Sequence, residues 1–179
     1  ASGVVANISG LPVARFIAAC NANDVVPEFF ETGDYRPKPS VSTLSNAMDV
    51  GDPSNFVRIL EMFSGKTDGL KARMSAASIS DERTAETIRE VHRNYGYTLD
   101  PHGAVAYAAI SDHIEANPDT RGIILETAHP IKFDSVTDIL GVEVTAPDSI
   151  GELFTKEKSV TELDADYNSV REVILKKAR

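Results

Sequence analysis

The sequence predicts an α/β fold, a parallel sheet flanked by helices. Short apolar runs of the kind buried inside a sheet alternate with amphipathic stretches of roughly 10 to 16 residues. Glycine and proline punctuate the amphipathic stretches where helices stop and start. Polar residues collect where the apolar runs give way to helices, the place where open parallel sheets bind ligands.

The elements follow in order. "ASGVVANISG" reads as a helix already under way that stops at Gly10, before Pro12. "VARFIAAC" is compact and apolar, suited to a strand buried on both faces. "NANDVVPEFFETG" offers Asn23 or Asp24 as a cap, an early Pro27 and a terminal Gly33, the punctuation of a short helix. "DYRPKPSVSTLSNAMDVGDPSN" has three prolines, one glycine and no sustained period, and predicts a long connecting or functional loop. From Pro53 the pattern turns helical, with Phe56, Ile59, Leu60 and Phe63 on one face and Gly65 as the stop.

A second strand–helix unit pairs the weak strand "MSAASIS" with the helix "DERTAETIREVHRNYG", capped by Asp81 and closed by Gly96. "DPHGAVAYAAISDHIEANP" predicts a helix with Pro101 near its start and Val105, Ala109 and Ile110 on one side. "RGIILET" is the strongest strand signal in the chain, and "HPIKFDSVTDILG" predicts a helix after it. The tail, "DADYNSVREVILKKAR", is amphipathic and basic at its end, with Tyr167, Val170, Val173 and Ile174 at helical spacing. Three strands make a small sheet for a chain of this length.

Composition narrows the function classes. With 179 residues, 42% hydrophobic and 25% charged, the chain is an ordinary globular mixture long enough for one sizeable core. A net charge of -9 repels nucleic acid and anionic membrane surfaces, so neither is expected as a partner. A small phosphorylated ligand remains compatible, because local donors outweigh global charge at short range. No apolar run approaches the ~18 residues of a spanning helix, and no basic segment followed by an apolar core marks a secretory signal. Cys20, the single cysteine, excludes an intrachain disulfide and suits a reducing compartment, so the cytoplasm is the expected location.

Three junctions carry the polar side chains: "CNANDVV", "TLDPHGAV" and "ETAHPIKF". Their positions suggest a shared pocket. Each also has a structural explanation. Asn21, Asn23 and Asp24 are natural caps, His102 and His129 beside prolines are natural hydrogen-bonding residues, and Thr127 is a natural strand residue. The four histidines lack ligand spacing and have no cysteine partner, so no metal is expected. G-x-S-x-G, P-loop and G-x-G-x-x-G patterns are absent.

Longer strings are more specific. "GLPVARFIAACNANDVVPEFFETGDY", "KPSVSTLSNAMDVGDPSNFVRILEM", "LDPHGAVAY" and "ETAHPIKF", in this order from about Gly10 to Phe133, resemble the threonine synthases. These are pyridoxal-phosphate enzymes of the tryptophan-synthase-β class. The resemblance implies the carboxyl-terminal part of a fold-type II pyridoxal-phosphate enzyme, converting O-phospho-L-homoserine and water to L-threonine and phosphate with pyridoxal 5'-phosphate. It implies that Thr127 meets the pyridine nitrogen. A neutral hydroxyl there does not force the ring nitrogen to be protonated, as an aspartate would.

It further implies that Asn21, Asn23 and Asp24, the loop residues Ser45, Asn46, Ser54 and Asn55, and His102 at the "DPH" helix start contact the substrate. Asp100 shares that start, as a cap or a pocket wall. The family's Schiff-base lysine and glycine-rich S-G-N-F-G loop have no counterpart here. Lys38, Lys66, Lys71 and Lys132 lie outside the lysine motif, so no residue of this chain is assigned as catalytic.

The expectation is one α/β unit over 1–179 belonging to a longer chain, inactive alone, with 1–141 matching the family's sheet region and 142–179 a helical tail. A threonine dehydratase-like β-elimination enzyme and a non-catalytic module binding a phosphorylated amino acid are the alternatives.

Overall fold

In the computed structural model, β1 (Phe16–Cys20) and β2 (Met74–Ser78) pair in parallel, Phe16 opposite Met74 and Cys20 opposite Ser78. The structure describes residues 2–177. Ala1, Ala178 and Arg179, the last belonging to the basic end expected of the tail, lie outside the described residues. Residues 1–144 and 145–179 form two compact units.

In the first unit the period-2 geometry of the strands divides their side chains between two cores. Phe16, Ala18, Cys20 and Ala76 pack with Val26 and Phe29 of α2 (Val25–Thr32), Phe56 of α3 (Ser54–Met62), Leu70 of α4 (Thr67–Arg73) and Val4 of α1 (Ser2–Ile8). Ile17, Ala19 and Ala77 face Val105, Ala108 and Ala109 of α6 (Pro101–Ala116). Small residues let this helix approach the sheet closely. Ala104 of the same helix joins Ile88 and Val91 of α5 (Asp81–Tyr95), Leu99, Phe133 and Val136 in a third cluster. Buried Thr84 and Thr87 of α5 turn their hydroxyls back to Ser80 O and Arg83 O, both at 2.8 Å, so no polar atom is orphaned at the packed face. Gly33 and Gly96 end α2 and α5 in left-handed geometry, φ 82° and 66°, as a glycine stop requires.

Several expectations change. "RGIILET" forms no ladder, and the sheet among the described residues has two strands rather than three. The segment keeps a strand's alternation. Ile124, Glu126 and Ala128 are half-buried, while Ile123 (88% exposed), Leu125 (78%) and Thr127 face outward. What it lacks is a neighbouring strand to accept its peptide groups. The expected single helix after it is broken by Phe133, whose extended backbone and buried ring separate a 3-10 turn (Pro130–Lys132) from α7 (Asp134–Leu140). Ser80, not Asp81, caps α5, accepting Arg83 N–H, because Asp81 Oδ1 is drawn to Leu44 N–H at 3.0 Å. The helix α4 arises without the start and stop signals that mark the others.

The second unit contains α8 (Asp148–Gly151), a 3-10 turn (Glu152–Thr155) and α9 (Tyr167–Lys177). Asp166 Oδ2 accepts Ser169 N–H and Oγ–H at 3.0 and 3.2 Å, fixing the start of α9. Tyr167, Val170 and Ile174 of that helix are exposed. Among the described residues, no helix is long and apolar enough to cross a membrane, and no group of three His, Cys, Asp or Glu side chains could hold a metal ion.

Candidate functional site

Where β1 ends, the chain passes directly into Asn21, which is buried and acts as a hub for the long loop. Its Nδ2 donates to Thr43 Oγ1 (3.0 Å), Ser45 Oγ (2.9 Å) and Asp49 Oδ1 (3.1 Å), while its Oδ1 accepts the backbone N–H and Nδ2 of Asn23. Asn23 then behaves like a short piece of strand. Its Nδ2 donates to Val41 O at 3.0 Å and its Oδ1 accepts Val41 N–H at 2.8 Å. Asp49 completes the knot by accepting Thr43 Oγ1–H at 2.6 Å and Thr43 N–H at 3.0 Å. A buried amide keeps its place only when its donors and acceptors are matched, and here each is.

Asp24 stands at the cap position of α2 but makes no capping bond. Its Oδ1 instead accepts Lys38 Nζ at 3.0 Å, and Glu28 Oε2 lies 2.5 Å from the same ammonium. Glu28 first and Asp24 second hold Lys38 protonated above the usual lysine range. The loop closes on itself where Lys38 N–H meets Gly51 O at 3.0 Å. A cavity of about 110 Å³ lies between Asn23, Asp24, Lys38, Val41 and Gly51. Ser45 is therefore part of the knot, whereas Asn46, in a 3-10 turn, and Ser54 and Asn55, at the start of α3, are exposed.

The other two junctions meet each other. Asp100, fully buried, caps α6 by accepting His102 N–H at 2.9 Å, and its Oδ1 also receives His102 Nδ1 at 2.8 Å. The His102 ring lies 5.1 Å from that of Phe133. From the third junction, Glu126 Oε1 accepts Asp100 N–H at 3.1 Å and Oε2 accepts the Tyr97 hydroxyl at 3.2 Å. Burial pushes the Glu126 carboxyl above its ordinary range; the Asp100 N–H opposes this and the Asp100 carboxylate adds to it. Thr127 follows, exposed, its hydroxyl without a protein partner among the described residues. His129 Nδ1 accepts Ile131 N–H at 3.2 Å and so shapes the next turn.

The polar side chains thus form two groups, Asn21, Asn23, Asp24 and Ser45 around the loop, and Asp100, His102 and Glu126 beside Thr127. No described hydrogen bond joins the groups. Thr43, Asp49 and Glu126 are structurally central but were not singled out by the sequence reading. For Glu126 the signal was present: an acid at an inward position of an apolar, alternating run needs a partner.

A family model described as "Pyridoxal-phosphate dependent enzyme" matches residues 1–127. The chain belongs to the pyridoxal-phosphate-dependent enzyme family. A second model, "Threonine synthase, C-terminal", matches residues 103–174. The threonine synthase of Escherichia coli (strain K12) is 43% identical over 175 residues, covering 97% of this chain and 40% of that relative. The crystal structure of threonine synthase from Escherichia coli aligns with TM-score 0.81 and 42% identity over 98% of this chain and 40% of that one. The crystal structure of threonine synthase from Brucella melitensis with pyridoxal phosphate bound aligns with TM-score 0.76 and 28% identity, over 99% and 43%. The chain spans about two-fifths of the length of the relatives it matches. The resemblance to threonine synthases read from the sequence, the fold class and the pyridoxal-phosphate cofactor of the family all stand.

Proposed function

We propose that these residues serve, within the complete enzyme, the conversion of the small molecule O-phospho-L-homoserine and water to L-threonine and phosphate, in the cytoplasm. Pyridoxal phosphate, when bound, supplies an electron-accepting ring. The observation that carries the assignment is Thr127, an exposed hydroxyl with no protein partner among the described residues, next to a glutamate fastened to the start of α6. That donor set fits an aromatic nitrogen. Thr127 Oγ1 would donate to the pyridine nitrogen and, being neutral, would not hold a proton there.

Asn46, Ser54 and Asn55, exposed and with no described side-chain hydrogen bond, are free to donate to substrate oxygens at the start of α3. The Lys38 cavity suits a phosphate less well, because two carboxylates flank its one ammonium. Asn21, Asn23 and Ser45 shape the substrate side through the loop they hold, Asp24 fixes Lys38, and His102 forms the wall beside Phe133.

The 179 residues alone are expected to be inactive, since no lysine lies in the family's motif. The test uses the full-length enzyme, following phosphate release from phosphohomoserine and ammonia release from threonine. Phosphate release is expected; dominant ammonia release would assign a dehydratase instead. Thr127→Asp is expected to lower turnover about a hundredfold with a smaller effect on cofactor loading. Full turnover by that variant would remove Thr127 from the role.

A further inference from the structure

We propose that a protonated Glu126 donates to the buried Asp100 Oδ2, and that this contact is a latch positioning Thr127 beside the start of α6. Asp100 Oδ1 receives two donors from His102, Glu126 Oε1 receives Asp100 N–H, and Glu126 Oε2 receives the Tyr97 hydroxyl. Asp100 Oδ2 receives none, although it is buried and the residue has no exposed surface through which water could reach it. An unmatched buried carboxylate oxygen is costly. Glu126 Oε1 already stands 3.1 Å from Asp100 N, which brings this carboxyl to the same residue, so a proton carried by Glu126 gives Oδ2 its missing donor.

Without that proton, two carboxylates would face each other in a site that holds no Lys or Arg ion pair among the described residues. The titratable groups facing the pair are Tyr97 from the preceding loop and His102 from α6. The Tyr97 hydroxyl, raised by burial and then by Glu126, stays neutral and keeps donating as Glu126 titrates.

The fit is close. A Cβ at Gly103 would stand 2.7 Å from Glu126 Oε1, so the helix leaves just enough room for this carboxyl. Because residues 121–127 have no ladder, the segment ahead of Thr127 is held by side-chain packing, Gly122 against Ile110 and Ile114 and Ile124 and Ala128 in the third cluster, and by the Glu126 contacts next to Thr127 itself. Glu126 binds its proton more tightly in the folded state, so the latch is closed at lower pH and opens as pH rises through a window above the ordinary carboxylate range.

The consequence for Thr127 rests on the functional reading above; the proton on Glu126 does not. In the full-length, cofactor-loaded enzyme, hydrogen exchange of a peptide spanning 121–130 is followed against pH and normalised for intrinsic rate. Exchange is expected to rise about tenfold as Glu126 ionises. Glu126→Gln, whose amide donates without titrating, should hold exchange low across the range, and Glu126→Ala should exchange fast throughout. A carboxylic-acid carbonyl band in the infrared difference spectrum should vanish in Glu126→Gln. A wild-type profile with no rise, a rise unchanged in Glu126→Gln, or no such band overturns the latch. Thr127→Val should leave the exchange profile intact while altering the cofactor absorption spectrum; an unaltered spectrum with the latch intact overturns only the role of Thr127.

Discussion

Gly51→Ala probes the loop closure most directly. A Cβ at this position would stand 1.8 Å from Lys38 O and 3.1 Å from Ser40 N, both backbone atoms that no rotamer change can move. To bring the first contact to about 3.0 Å, residues 38 and 51 must part by roughly 1.2 Å. The 3.0 Å bond from Lys38 N–H to Gly51 O cannot survive that separation. Losing it and leaving its groups poorly matched costs about 2 kcal/mol, a factor of roughly thirty in the population of opened loop. Limited proteolysis of the full-length enzyme under native conditions reads that population directly when reclosing is fast. Cleavage within residues 34–53 should accelerate by about the same factor, and under the proposed function KM for phosphohomoserine should rise more than kcat falls. Wild-type cleavage together with wild-type KM would refute the argument that this close approach holds the loop shut.

Asn21→Ala removes the hub of the same loop, and its five side-chain hydrogen bonds with it. Urea denaturation should register a loss of about 3 kcal/mol, and a loss below about 1 kcal/mol would mean that the knot holds without it. Burial first, and Asp24 second, push the Cys20 thiol from 9.0 to about 11. Alkylation at pH 8 should therefore run about a hundredfold slower than for an unperturbed thiol and climb steadily toward pH 11. The folded state holds that proton more tightly, so stability should fall as pH rises through the same window; pH-independent alkylation would refute the placement.

The fold was legible where local chemistry and tertiary packing agree. α5 has an amphipathic period with a start and a stop, α6 opens on Asp100 and Pro101, and β1 is a compact apolar run, whereas β2 read only as a weak strand and formed through its pairing with β1. "RGIILET" was misread for an instructive reason: its alternation is real, but a strand is a relation between two segments, and no residue of a run encodes whether its partner is beside it. The Asp81 cap failed because a distant backbone group, Leu44 N–H, competed for the same carboxylate. At the candidate site, the asparagine-rich turn and the "DPH" start were visible as polar punctuation. Their actual engagements, Asn23 with Val41 and Asp100 with Glu126, join residues far apart in sequence and so escaped any local pattern.

The single parallel ladder has a consequence for how the chain assembles. Phe16 and Met74 can pair only after the intervening polypeptide has been gathered in, which makes the ladder an entropically late event. The α5 and α6 hairpin, sequential neighbours joined by a short connection, needs no such closure and is the natural early nucleus. The asparagine knot continues directly from the end of β1, so the long polar loop is expected to take its final shape with or after the ladder.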